Sequence, residues 1–230
     1  MPASIPNDIY QYSLISAFSN GLTSGGPPAA FLTKHGTHGI GTFADGRKMI
    51  MLDSKAWQLQ ADGKGQANVW MPAAGDAMLP FVMVTCFEAE QGQQTSVEMS
   101  KEEVEERILA SHAGRNGSTG ASGWSKHDYL SVQIRGKFES IEVNQDGQSI
   151  TISNAKGTMF GFRAPSWAAA TSPEGLRLHF ISDADEYGLR RGGDVRGFQL
   201  MAGASVEFAT CGRFHLGLPK GKQWESMDLV

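Results

Sequence analysis

"YLSVQIRGKFESIEVNQDGQSITISN", Tyr129 to Asn154, alternates apolar and polar residues on both sides of Asp146-Gly147. Side chains two apart share one face of a strand, and Asp-Gly between two such runs marks a tight hairpin turn. The stretch therefore reads as two antiparallel strands. Downstream, "TMFGFRAP", "LRLHFISD", "GFQLMAG", "SVEFATC" and "RFHLGLP" have the same strand character, so the second half is expected to be a sheet. Upstream lies "AGRNGSTGASGWSKHD", a Gly/Ser-rich stretch that reads as a surface loop or hinge and places a domain boundary there.

The first half mixes helix and strand signals. Asp8 and Gln11 stand at capping-box spacing before Ile9, Tyr12, Ile15 and Phe18, which predicts a helix ending at Asn20-Gly21. Pro27-Pro28 opens a short second helix stopped at Gly36, and Ser100 with Glu103 opens a third over "KEEVEERILASH". Between them "KMIMLD", "AWQLQ", "NVWMP" and "FVMVTCFEA" read as a mostly antiparallel meander. The expected fold is α+β and β-rich. Two packed β-sheet domains carry a few helices, a mixed α/β-sheet domain over 1–124 and a β-sheet domain over 125–230.

Bulk properties exclude several classes. A chain of 230 residues with 40% hydrophobic and 19% charged residues can bury a sizeable core. A net charge of -4, with no Lys/Arg run interleaved with aromatics, argues against a nucleic-acid partner. No basic leader or membrane-spanning apolar run is seen, so a cytoplasmic location and no membrane partner are expected. Cys86 and Cys211 stand alone without CxxC spacing, and both read as reduced packing residues. The glycines of "KHGTHGIGTF" lack the spacing of a phosphate loop and read as a tight backbone passage.

"LRLHFISDADEYGLRRGGDVRGF", Leu176 to Phe198, has the frame of a metal site with a cation inside it. As a strand it places Leu176, Leu178 and Phe180 on one face and Arg177, His179 and Ile181 on the other. A guanidinium is a fixed positive charge and never a ligand.

"IYQYSLISAF", "KHGTHGIGTF", "MIMLDSKAWQLQADGK", "PFVMVT", "SKEEVEERI", "IRGKF", "GTMFGFRAPSW", "LHFISD" and "FHLGLP" occur in the order and rough spacing of the α-acetolactate decarboxylases. From Ile9 to Pro219 the chain resembles that family. The resemblance implies two packed β-domains, a homodimer, a small-molecule substrate, and a zinc ion held by an H-x-H pair and a third histidine. It also implies an arginine and two glutamates acting on the substrate. Against that pattern the first histidine falls on Arg177, the second is kept as His179, and the third falls on Asp194. One glutamate falls on Lys48, the arginine falls near Asn144, and the C-terminal glutamate has no counterpart.

The expectation is therefore no metal and no cofactor. Arg177, His179, Lys48 and Asp194 are the candidate catalytic residues, with Thr42, Asn144 and Trp124 binding substrate. An Arg177–Asp194 ion pair plugging an empty site is the structural alternative. The function expected first is a metal-independent lyase, isomerase or cyclase, of Diels-Alder type among others, acting on a keto, enol or polyene intermediate of specialised metabolism. Zinc-dependent decarboxylation of 2-acetolactate-like acids to acetoin-like products, and non-catalytic binding of a small molecule, are the alternatives.

Overall fold

The computed structural model describes residues 5–63, 67–113, 127–145 and 147–228. In chain order these form β1 (Ile9–Tyr12), α1 (Ile15–Ser19), α2 (Ala29–Leu32), β2 (His38–Thr42), β3 (Lys48–Leu52), β4 (Lys55–Gln60), β5 (Val69–Pro72) and β6 (Phe81–Thr85). There follow β7 (Gln91–Gln94), β8 (Met99–Ser100), α3 (Lys101–Ala113), β9 (Tyr129–Gln145) and β10 (Gln148–Ala164). The chain closes with β11 (Gly175–Ser182), β12 (Gly192–Leu200), β13 (Ser205–Cys211), β14 (Phe214–Gly217) and α4 (Lys222–Glu225).

Two seven-stranded sheets result, ordered β14-β1-β6-β2-β3-β4-β5 and β7-β13-β9-β10-β11-β12-β8. The β-rich α+β expectation holds. In the second sheet β12 also pairs with β9, with Phe198 opposite Ile141 and a register shift between Val195 and Gly197. The β9-β10-β11-β12 ladder thus curls back on itself around Phe138, Val143, Leu178, Phe180 and Phe198.

A second cluster lies between the sheets, where Ile40, Ile50, Phe81 and Met83 of the first meet Phe160, Phe162 and Ile181 of the second. Fully burying side chains of this size stabilises by roughly 1.5–3 kcal/mol each. A third covers the outer face of the first sheet, where α2 lays Ala29 and Leu32 over Met49, Met51, Val82 and Val84. Strand periodicity sorts the side chains. Met49 and Met51 of β3 face outward, so Lys48 and Ile50 face the second sheet; Leu176, Leu178 and Phe180 of β11 face its own core, so Arg177, His179 and Ile181 face the first.

Three sequence expectations are corrected. The helix expected from Ile9 to Phe18 is mostly strand, and only Ile15–Ser19 is helical. Ile9 and Gln11 are fully buried, and β1 is hydrogen-bonded to β6 and β14 on its two sides, so ladder pairing outweighs a capping-box pattern. "QSITISN" and "TMFGFRAP" are one 17-residue strand. "RFHLGLP" supplies β14, which leaves the second half of the chain to run parallel to β1 in the first sheet, while β7 and β8 cross the other way. The expected boundary stretch, 114–126, lies outside the described residues.

The capping box before α3 forms reciprocally: Glu103 N–H donates to Ser100 Oγ at 3.2 Å and Ser100 N–H to Glu103 Oε2 at 2.7 Å. The Gly-rich "HGIGT" is β2, a central strand. A Cβ on Gly39 would lie 2.4 Å from the Met83 carbonyl, and one on Gly41 2.8 Å from that of Phe81. Close packing, not phosphate binding, accounts for these glycines. Cys86 and Cys211 are both half-buried. Among the described residues no helix is long and apolar enough to cross a membrane.

Candidate functional site

A pocket of about 170 Å³ opens between the sheets, and Thr42, Lys48, Arg177, His179 and Asp194 all line it. Backbone register explains the convergence. Phe81, Thr42 and Lys48 are opposite one another on β6, β2 and β3, so they form one row across the first sheet. On the second sheet His179 of β11 stands opposite Asp194 of β12, and Arg177 lies two residues along the same face as His179.

His179 is the buried centre of the group. Its Nδ1–H donates to the Met49 carbonyl at 2.8 Å, which leaves Nε2 as the lone-pair nitrogen, 3.9 Å from Asp194 Oδ1. Burial pushes the proton affinity of the ring below its ordinary value; Asp194 works against that and Lys48 with it. The ring is therefore neutral at neutral pH. Lys48 Nζ, at the start of β3, donates to Thr42 Oγ1 at 3.3 Å, and the residue is half-buried. Arg177, the third residue of β11, is exposed and makes no ion pair among the described residues. The expected alternative of an Arg177–Asp194 plug is not formed, since the carboxylate of Asp194 faces His179.

Of the two remaining candidates, one is among the described residues. Asn144 is the register partner of Asp194 but lines a separate cavity of about 410 Å³, and its Oδ1 accepts from Arg196 Nη2 at 2.9 Å. Lys48 lines that cavity as well as the first. Trp124 lies outside the described residues.

Sequence reasoning overlooked the apolar wall. Ile15 and Phe18 of α1, Ile40, Phe81 and Pro173 complete the lining. Ile15 and Phe18 stand three apart on one helix face, a spacing that signals any apolar contact and does not distinguish core from pocket.

The donor set does not fit the three-histidine zinc site that the resemblance implies. Tetrahedral zinc takes three or four N, S or O donors, and the guanidinium of Arg177 is a permanent cation instead. Among the described residues no group of three or more His, Cys, Asp or Glu side chains could hold a metal.

A family model described as Alpha-acetolactate decarboxylase matches residues 9–230. The alpha-acetolactate decarboxylase of Lactococcus lactis subsp. cremoris (strain MG1363) is 30% identical, over 78% of this chain and 76% of its own. That of Raoultella terrigena is 28% identical over 96% and 84%. The crystal structure of acetolactate decarboxylase from Bacillus subtilis subspecies spizizenii superposes with a TM-score of 0.81 at 22% identity, covering 97% of this chain and 94% of that one. At that identity the likeness shows the fold. The expectation of a metal-independent isomerase or cyclase of pericyclic type is overturned by the sequence matches, whose named activity is decarboxylation.

Proposed function

Because this chain belongs to the alpha-acetolactate decarboxylase family, we propose that its pocket decarboxylates a 2-hydroxy-3-keto acid of the 2-acetolactate type. In such an acid the ketone lies β to the carboxylate. Loss of CO2 leaves the electron pair of the broken C–C bond on the ketone oxygen as an enediolate, and protonation at C2 gives a 2-hydroxy ketone. Negative charge thus migrates from the carboxylate to the ketone oxygen.

Two cations in different settings suit that migration. A cation held on the carboxylate stabilises the ground state, whereas one at the ketone oxygen stabilises the charge that develops. Arg177, exposed and without an ion-pair partner among the described residues, is the group for gathering the carboxylate at the mouth. Lys48, half-buried in the row with Thr42, is the group for the enediolate oxygen. The neutral His179 offers Nε2 to the substrate hydroxyl and orients it, with the Asp194 carboxylate on that same side of the ring and the Met49 carbonyl behind it. The observation that carries this reading is Lys48 and Arg177 lining one small pocket with a neutral histidine.

The experiment is direct. Racemic 2-acetolactate is incubated with the purified protein, with and without added zinc, and acetoin and CO2 are followed against the spontaneous rate. Acetoin formed faster than spontaneously, and slowed by Lys48→Met, supports the reading. Rates equal to the spontaneous one in both arms refute it. A small-molecule substrate, a homodimer, a cytoplasmic location and no nucleic-acid partner belong to the same proposal, in keeping with the net charge of -4.

A further inference from the structure

The pocket is chemically divided along its length. The row across the first sheet runs from Lys48 through Thr42 to Phe81, from a cation to an aromatic ring within three neighbouring strands. Phe18 of α1 stands beside Phe81 with ring centroids 6.1 Å apart, and Ile15 joins the lining from the same helix face. On the opposite sheet His179 and Asp194 stand side by side in register, and Arg177 lines the pocket from the same strand face two residues nearer the start of β11. A substrate whose oxygens fill the Lys48–His179 end must lay something apolar against Phe81 and Phe18, or leave water there with few hydrogen-bond partners.

Among the described residues, the structure assigns the Ile15–Phe18–Phe81 end as a side-chain subsite: the substrates best matched are 2-hydroxy-3-keto acids carrying an apolar substituent larger than methyl. This rests on the decarboxylase reading for the reaction, not for the binding. Phe81 belongs to the buried cluster between the sheets, and Ile15 and Phe18 pack against that cluster while also lining the pocket. Ile15 and Phe18 are half-buried on a five-residue helix whose fully buried residue is Ala17. The helix is tied down by backbone bonds from Ile15 N–H to the Thr171 carbonyl at 3.0 Å and from Ser16 N–H to that of Ala170 at 3.2 Å, so the 170–173 segment and α1 present the apolar wall together.

The test uses unreactive 2-hydroxy-2-methyl acids of increasing chain length, 2-hydroxy-2-methylpropanoate, -butanoate and -pentanoate, titrated calorimetrically into the intact protein. Each added methylene is expected to tighten binding about three- to fourfold, and Phe18→Ala is expected to flatten the series while leaving the shortest acid nearly unaffected. Ile15→Ala is the second variant, should the first fail to fold. A wild-type series that is flat, or that weakens with length, overturns the subsite even if 2-acetolactate is decarboxylated. A rising series with no turnover of any keto acid upholds the subsite and refutes the decarboxylase reading instead.

Discussion

The Nδ1–H of His179 donates to the main-chain carbonyl of Met49 at 2.8 Å, joining β11 of the second sheet to β3 of the first. The bond selects the tautomer and aims Nε2 at the space shared by Lys48 and Asp194. A buried neutral histidine is also a pH liability. In the unfolded chain the ring takes up a proton as pH falls through about 6.5, whereas in the folded protein burial holds His179, and likewise His38, below that value. The unfolded state then binds more protons, so stability declines as pH drops below about 6.5 and is at its full value above it. The melting temperature should fall between pH 7 and pH 5, and His38→Gln should fall less steeply than the parent. Equal slopes would mean that His38 contributes nothing to the acid side.

Lys48→Met keeps the aliphatic stem and removes the charge. On 2-acetolactate, kcat/KM is expected to drop by about 10²- to 10³-fold, the usual effect of losing a pre-aligned donor at a developing oxyanion, with little change in melting temperature. A comparable loss of stability with normal turnover would make Lys48 a packing residue.

Gln11 is fully buried. Its Nε2 donates to the Ser13 and Thr171 carbonyls at 2.7 Å each, and its Oε1 accepts from Ser172 Oγ at 2.6 Å, which in turn accepts from the Tyr129 hydroxyl at 3.0 Å. Gln11→Leu takes the side-chain partner from the Ser13 carbonyl and the Ser172 hydroxyl, while the Thr171 carbonyl keeps its bond from Ile15 N–H, so urea denaturation should show a loss of about 2–3 kcal/mol. Substrate affinity should weaken as well, since the 171–173 segment helps line the pocket.

Gly39→Ala places a methyl 2.4 Å from the Met83 carbonyl and 2.5 Å from a Val84 side-chain carbon, inside a central strand. A loss of about 3 kcal/mol or more is expected. Gly212→Ala, where a Cβ meets nothing within 4 Å, is the control and should stay within about 0.5 kcal/mol.

Arg177 shares a strand face with His179, and Asp194 is opposite His179 in register. Replacing both, Arg177→His with Asp194→His, supplies three imidazoles on one patch and removes the repelling guanidinium. The double variant should take up zinc at about one per chain in metal analysis and bind it at least tenfold more tightly than the parent. Equal affinity in the two proteins would show that the backbone frame no longer suits a metal.

Strand alternation in the sequence determined which face of β11 carries Arg177 and His179. Asp146-Gly147 between alternating runs set the β9–β10 hairpin, and Ser100 with Glu103 announced α3 before any coordinates. These are local signals, written in residues two to four apart. Tertiary structure alone decided that Ile9–Tyr12 is a strand, because its capping-box spacing competes with ladder bonds to β6 and to β14, about two hundred residues further along the chain. It also decided that Asn144 accepts from Arg196 while Lys48 donates to Thr42, and that Ile15 and Phe18 wall a pocket. The reason is physical: periodicity states that a side chain is to be covered, whereas what covers it, another sheet or a substrate, depends on the register between strands far apart in the chain.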